Sequence, residues 1–378
     1  MASLLFTDMA LKVAIVGPPL AVLYGGQEVQ ARILTNEWQE DKEVNAIFVA
    51  SRHPFPKYLA PLNRIRYLRT LFRLPWYLIS LFRAIGKADL VHIFAGSFGT
   101  FRAATAPAFM VAKLRKKKII IHYHSGRGNE HVAGSTVTRQ VLRACDSVVV
   151  PSEYLAAAFR AHGICTVVVQ NVVDIDKYRY RLRDPLQPRL LCTRNLEMHY
   201  GLDVVVRAFA EVQQKFPEAS LRLVGSGQRA GEIRRLVRKL GLKHVQLVGA
   251  IHPDDMPAIY DRSDIFINGS YVDCAPVSIL EAFCSGLPVV TTAAGGIPYL
   301  VEHGRTGLLY PPGDWSRLAQ GVIDLLSQQN LVNTVTGEAR RQTVHYSWQA
   351  LRPLWLKVYR EACERRTLPI EENRNLSH

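Results

Sequence analysis

The sequence predicts an α/β protein made of two doubly wound, Rossmann-like domains facing each other across a cleft. Three observations carry this. Short apolar runs alternate with helix-length segments along the chain, the pattern of βαβ units and parallel sheets. Runs such as KVAIV, SVVVP and DIFIN are almost continuously apolar, as strands buried on both faces must be. Finally, 378 residues is more chain than one hydrophobic core organises.

In the first half the expected strands are Lys12–Val16, Ala46–Val49, Leu90–Phe94, Lys118–His122, Ser147–Val150 and Thr166–Val169. In the second half they are Leu190–Thr193, Leu221–Val224, Val245–Val248, Ile265–Asn268, Pro288–Thr291 and Gly307–Leu309. Between the two series lies a polar stretch with two prolines, which reads as a link. The expected organisation is therefore a first domain at 1–170, a link at 171–188 and a second domain at 189–345. In residues 346–378, an apolar stripe of Trp348, Leu351, Leu354, Trp355, Val358 and Tyr359 predicts a helix crossing back to the first domain, followed by a tail.

Composition narrows the function. The chain carries 47 Lys and Arg against 32 Asp and Glu. From Pro61 to Lys118 twelve residues are basic and only Asp89 is acidic, so one surface of the first domain is strongly electropositive. Segment 62–87 shows why. Leu62, Ile65, Leu68 and Phe72 form one helical face, Arg66, Arg69 and Arg73 line another, and Pro75 is expected to interrupt the helix before the pattern resumes. Such a segment suits an anionic membrane surface, although a buried helix with an ordinary solvated face gives the same pattern. No helix-turn-helix, RNP-type or zinc module accompanies the charge, so nucleic acid is not an expected partner. The six cysteines form no CxxC or Cys/His cluster and read as buried thiols in a reducing compartment. No membrane-spanning run or secretory signal is legible, so the expected location is cytoplasmic, peripheral on the inner face of the membrane.

Ligands of open parallel sheets bind beyond the carboxyl ends of the strands. After Ile265–Asn268 comes Asp273-Cys-Ala-Pro-Val-Ser-Ile-Leu-Glu281, then AFCSGLPVV. Pro276 fits the first turn of a helix, leaving the amides of Val277, Ser278 and Ile279 open to an anion. Glu281, further along that helix, can accept two hydroxyl hydrogen bonds from a sugar. Gly295 and Gly296, after the next strand, are expected to let backbone approach a ligand closely. Gly25 and Gly26 follow the first strand and open a helix, a place for a phosphate or for an acceptor approaching the backbone. Gly225-Ser-Gly227 does not complete a dinucleotide motif, because residue 230 is Ala. His122 and His124 end the strand Lys118–His122.

These segments resemble the retaining glycosyltransferases of family four, also called group one, which have the GT-B fold. Their signature is an acid, seven residues and a Glu, then a helix and Gly-x-Pro-Val-Val. Here it reads Asp273-x7-Glu281 with Gly286-Leu-Pro-Val-Val290, followed by Gly295-Gly296-Ile-Pro and Glu302-His-Gly-Arg-Thr-Gly. Asp146-Ser-Val-Val-Val-Pro-Ser152 and Gln170-Asn171-Val-Val-Asp174 are similar to the family's segments upstream. The resemblance implies that the second domain holds a nucleotide-sugar. Glu281 would bind the ribose hydroxyls, Asp273 the transferred sugar, Arg194 the pyrophosphate, and His124 would lie near the donor sugar. Charge growing on the departing phosphate calls for a cation such as Arg194, since guanidinium engages phosphate oxygens two at a time.

Two departures stand out. The family usually has Glu where this chain has Asp273, a reach shorter by about 1.5 Å. The family also pairs its Arg with a Lys just before a glycine, where this chain has Met198, His199 and Tyr200. His199, Arg127 or the glycine loop are the candidate substitutes.

The resulting expectation is a hexosyl-type transferase moving sugar from a nucleotide-sugar co-substrate to a glycan, lipid-linked or small-molecule acceptor, without metal or bound cofactor. Catalytic candidates are Asp273, Arg194 and His124. Donor-binding candidates are Glu281, Val277, Ser278, Ile279, Gly25, Gly26, Gly295 and Gly296. A same-fold nucleotide-sugar epimerase and a non-catalytic nucleotide-binding or membrane-docking scaffold remain as alternatives.

Overall fold

The computed structural model describes residues 10–20, 25–51 and 66–364, with the side chains of 66–72 excepted. Among the described residues twelve strands form two six-stranded parallel sheets. The first contains β1 (Leu11–Gly17), β2 (Val44–Ala50), β3 (Leu90–Ala95), β4 (Lys118–Tyr123), β5 (Ser147–Val150) and β6 (Val167–Val168), in the order β2-β1-β3-β4-β5-β6. The second contains β7 (Arg189–Thr193), β8 (Ser220–Val224), β9 (Val245–Gly249), β10 (Ile265–Asn268), β11 (Val289–Thr292) and β12 (Leu308–Tyr310), in the order β12-β11-β10-β7-β8-β9. Each sheet reverses direction beside its own first strand, between β1 and β3 and between β7 and β10. Those reversals open crevices at the strands' carboxyl ends, where loops on either side part.

Burial explains the strand sequences. All six residues of β3 are buried, and its run carries no polar break apart from His92. At the edge of the second sheet, β9 alternates between half-buried and exposed positions because only one side is covered.

The helix Trp348–Glu364 returns to the first sheet. Trp348, Leu351, Trp355, Val358 and Tyr359 share one core with Val13, Ile15 and Trp38, whereas Leu354 turns outward. Trp38 meets Trp348 edge-on, with ring centroids 4.6 Å apart. At the helix rim, Arg352 clasps Asp41 at 2.6 and 3.0 Å. The segment between β6 and β7 is held by Arg183. Its buried guanidinium donates to the carbonyls of Arg181, Tyr260, Ser263 and Ser285, which solvate its charge in place of water.

Of the basic segment 62–87, residues 62–65 and the side chains of 66–72 lie outside the described residues, as does the tail beyond Glu364. The described part corrects one expectation: the helix Arg66–Lys87 runs through Pro75 without interruption. An interior proline costs about 3 kcal/mol through its missing N–H and its ring. Packing offsets this, since Tyr77, Leu81, Ala84 and Ile85 enter the first core and Tyr77 Oη donates to Ala104 O at 2.8 Å.

Trp38→Ala should lower unfolding free energy by about 3–5 kcal/mol, the range for emptying a buried indole site. Urea denaturation of the purified protein measures it.

Candidate active site

The carboxyl ends of β7 and β10 meet at the crevice of the second sheet. Arg194 directly follows β7, and its guanidinium donates through Nη2 to Asp273 Oδ2 on the loop after β10. Its Nε donates to Asn268 Oδ1 at 3.3 Å, and the group lies 5.0 Å from the centroid of the Tyr200 ring. Asn268 is itself held, donating to Thr291 Oγ1 at 3.0 Å and accepting from Ser270 Oγ at 2.9 Å. Burial pushes Arg194 toward the neutral form, but the Asp273 carboxylate beside it and the Tyr200 ring more than counter this, so its pKa is raised.

Two backbones crowd this pair. Gly225, with φ +144°, lies where a Cβ would meet Arg194 O at 2.2 Å. A Cβ on Gly295 or Gly296 would meet Asp273 O at 2.1 Å or Cys274 O at 1.7 Å. Gly296 N donates to Asp273 O at 2.9 Å. This corrects the expectation for Gly295 and Gly296: they back the Asp273 loop and do not line the cavity.

The cavity lies between the two sheets. The second domain contributes Thr193, Arg194, Tyr200, Gly225, Ile251, Met256, Val277, Ser278 and Glu281 to its lining, and the first domain contributes Gly25, Gly26, Val29 and Arg32. A Cβ on Gly26 would lie 3.8 Å from Val277 Cγ2, so the glycine loop faces the helix Val277–Ser285 across the gap. That helix starts after Pro276, which is the cap residue and not the first helical one. The amides of Val277 and Ser278 head it. Ile279 is a correction, because its N–H donates to Pro276 O at 3.1 Å and its side chain is fully buried. Ser278 Oγ is buried at the cavity wall and has no hydrogen-bond partner among the described residues.

Glu281 Oε2 accepts from Tyr260 Oη at 2.7 Å, and Tyr178 bonds the same carboxylate. With its proton so committed, the Tyr260 oxygen accepts from Thr193 Oγ1 at 2.9 Å. Burial raises the Glu281 pKa, and the two tyrosines and Arg194 offset only part of this.

His124 is half-buried at the end of β4, outside the cavity lining. Its Nε2 lies 2.8 Å from His122 Nε2. The loop that follows it abuts the donor side: a Cβ on Gly126 would lie 3.2 Å from Asp273 Cα. The structure thus joins Arg194, Asp273, Val277, Ser278, Glu281, Gly25 and Gly26 in one region, with His124 on its border.

Sequence reading missed Tyr260, Tyr178, Asn268, Arg32 and Lys177. Arg32 had a signal, since Gly26, Val29, Arg32 and Ile33 fall on one face of the helix Gly26–Gln39. Lys177 had none, lying in a short 3₁₀ turn of the connecting segment. Of the candidate substitutes for the family's lysine, Arg127 is clasped by Glu130 at 2.7 Å through two nitrogens, and the His199 ring packs against Tyr200. Neither lines the cavity; Arg32 and Lys177 do, both near Asp254. Among the described residues no group of three or more His, Cys, Asp or Glu is arranged to hold a metal ion.

The family model Glycosyltransferase Family 4 matches residues 24–177, and the model Glycosyl transferases group 1 matches residues 176–342. The chain belongs to the group 1 glycosyltransferases. This glycosyltransferase is 26% identical over 290 residues to the GDP-mannose-dependent alpha-(1-6)-phosphatidylinositol monomannoside mannosyltransferase of Mycobacterium tuberculosis, spanning 71% of this chain and 74% of that protein. Sucrose-phosphate synthase from Thermosynechococcus elongatus superimposes with a TM-score of 0.75 at 20% identity, covering 93% of this chain and 99% of the other. Anabaena HepE in complex with UDP and glucose does so at 0.72 and 18%, with the same coverage. At those identities the likeness is one of fold, the two-domain GT-B architecture. The enzyme transfers sugars.

Because Glu281 has a raised pKa, the folded state binds its proton more tightly than the unfolded chain does. Its contribution is complete below the unfolded carboxyl value and is lost as pH rises through the folded one. Glu281→Gln should therefore melt higher than the parent at pH 7, with the gap closing toward pH 4. The same variant should bind donor nucleotide more weakly. Melting curves across pH, with and without nucleotide, read both effects.

Proposed function

We propose that this enzyme is a retaining, metal-independent glycosyltransferase whose acceptor is carried on a lipid at an anionic membrane surface. One observation carries the catalytic part: the Arg194 guanidinium, two helix-terminal amides and the Glu281 carboxylate converge on one cavity between the sheets. Glu281 receives the ribose hydroxyls. Arg194 has five N–H donors and gives only two to Asp273 and Asn268, leaving others for the pyrophosphate. The amides of Val277 and Ser278 and the Ser278 hydroxyl add donors at a helix N-terminus, and the Gly25-Gly26 loop closes the opposite side.

In the transfer step the bond from the anomeric carbon to the phosphate oxygen breaks and one to the acceptor oxygen forms on the same face. The acceptor's proton passes to the departing phosphate. Arg194 and the helix amides stabilise the charge growing there. Asp273 and His124 orient the sugar, and no residue becomes a covalent nucleophile.

The lipid-linked part has two supports. The mycobacterial relative acts, by its name, on a phosphatidylinositol monomannoside. Beside the first core, the helices Arg66–Lys87 and Ala106–Leu114 pack together and expose Trp76, Ile79, Met110 and Leu114 among Arg83, Lys87, Lys113, Arg115 and Lys116. Apolar side chains rimmed by cations suit the interface of an anionic bilayer. No helix of the described residues is long and apolar enough to cross a membrane.

Arg194→Ala should reduce turnover by about 10²–10³ with the far-ultraviolet spectrum unchanged, as loss of a transition-state charge donor does. Near-normal transfer would remove the proposal. Thermal shifts with GDP- and UDP-sugars identify the donor, and proton NMR of the product reads the anomeric configuration. Flotation with anionic vesicles at low salt should recover the protein, whereas neutral vesicles should not. Replacing Arg115 and Lys116 with Gln should weaken recovery by about 30-fold, at about 1 kcal/mol for each charge.

A further inference from the structure

A chain of four buried or half-buried side chains runs through the first sheet to His124. Tyr359, on the returning helix, has its Oη 2.8 Å from His92 Nδ1. His92 Nε2 lies 3.3 Å from His122 Nδ1, and His122 Nε2 lies 2.8 Å from His124 Nε2. His92 is on β3, and His122 is on the neighbouring β4. His122 and His124 are two apart, so both project from the same face of the sheet. Phe94 lies alongside, its ring stacked against His92 and His124.

We propose that Tyr359, His92 and His122 form a one-way hydrogen-bond chain that fixes His124 as its Nδ1–H tautomer, a standing donor to an oxygen of the bound sugar. This rests on the reading of His124 as a sugar contact. The direction follows from counting protons. The Trp38 indole also lies near the Tyr359 hydroxyl but makes no hydrogen bond with it, and an indole N–H can only donate. Among the described residues His92 Nδ1 is then the one acceptor available to the phenolic proton. With Nδ1 accepting, neutral His92 carries its proton on Nε2 and donates to His122 Nδ1. His122 in turn donates from Nε2 to His124 Nε2, which leaves the His124 proton on Nδ1. That nitrogen has no protein partner among the described residues, and its loop borders Asp273.

Neutrality is required at every link, because a charged ring would present two donors and break the sequence. Burial supplies it, pushing the pKa of His92 and of His124 down to about 3 and that of His122 well below its usual value. His92 and His122 are accordingly positioning residues, as is Tyr359. A His124 held this way is a poor base, since protonating it would create a charge in the chain. It suits a step in which the departing phosphate takes the proton.

The chain is tested by the nitrogen chemical shifts of protein labelled with ¹⁵N in its histidines, the peaks assigned by single substitutions. In the parent, His92 and His122 should be protonated on Nε2 and His124 on Nδ1; the reverse pattern, or a mixture, overturns the proposal. Tyr359→Phe should leave His124 in mixed tautomers and lower the turnover number about ten-fold, with the affinity for free UDP or GDP unchanged. A His124 that stays locked in that variant overturns the role given to the phenol. His92→Gln keeps the direction, its carbonyl accepting from Tyr359 and its amide donating to His122. It should retain the tautomer and turnover within about two-fold, whereas His92→Leu should lose both. The spectra read the chain even if Arg194→Ala shows the catalytic reading to be wrong.

Discussion

A guanidinium largely withdrawn from solvent between two sheets is the constraint on which the rest of this site depends. An isolated charge there is costly, and it becomes tolerable only with an opposite charge and hydrogen-bond acceptors at hand. Asp273 supplies the charge, Asn268 the acceptor and Tyr200 an aromatic face. Arg194 and Tyr200 lie in the connection after β7, and Asn268 and Asp273 at and after the end of β10, so neighbouring loops must approach more closely than side chains would allow. Gly225 admits the Arg194 carbonyl, and Gly295 and Gly296 admit those of Asp273 and Cys274. The glycines around this site serve the ion pair first, and through it the pyrophosphate. Asp273 in turn keeps Arg194 charged and aimed before any donor arrives.

Electrostatics of the cleft follow from the topology. In each sheet the strand order reverses next to the first strand, and a helix begins with its positive end toward that reversal. With the sheets facing each other, the helices starting at Gly26 and Val277 both turn their N-terminal ends toward one cavity. An anion between them is met from two sides. Burial penalises the charge of the Glu281 carboxylate in the cavity wall, a strain that hydroxyl donors from a ligand would relieve. The returning helix closes the first core and contributes Tyr359 to the histidine chain, tying the far end of the sequence to the border of the site.

Much of this was legible in advance because parallel strands buried on both faces leave a strong mark. All twelve apolar runs became strands, with ends differing by at most two residues. The motif from Asp273 to Glu281 was equally clear, since a proline, free amides and two acids after a strand have few structural uses. Errors arose where a local rule met tertiary packing. Pro75 breaks helices in isolation, yet Tyr77, Leu81 and Ile85 hold the helix through it. Ile279 was counted among the open amides, but the first turn tightened and bonded it to Pro276. Tyr260 and Asn268 gave no signal at all, because a tyrosine or asparagine near a strand end is ordinary until its partners are known.

What the sequence by itself determined is the alternation of elements, the acids and cation placed after strands, and the basic face of the first domain. These depend on periodicity and on neighbours a few residues apart, which a chain displays in one dimension. Only the tertiary structure decided that Arg194 would bind Asp273, that Tyr260 and Tyr178 would hold Glu281, and that three histidines and a tyrosine would align. Those pairings span from two to 267 positions of sequence, and most of them exist only because parallel strands bring distant loops to one edge.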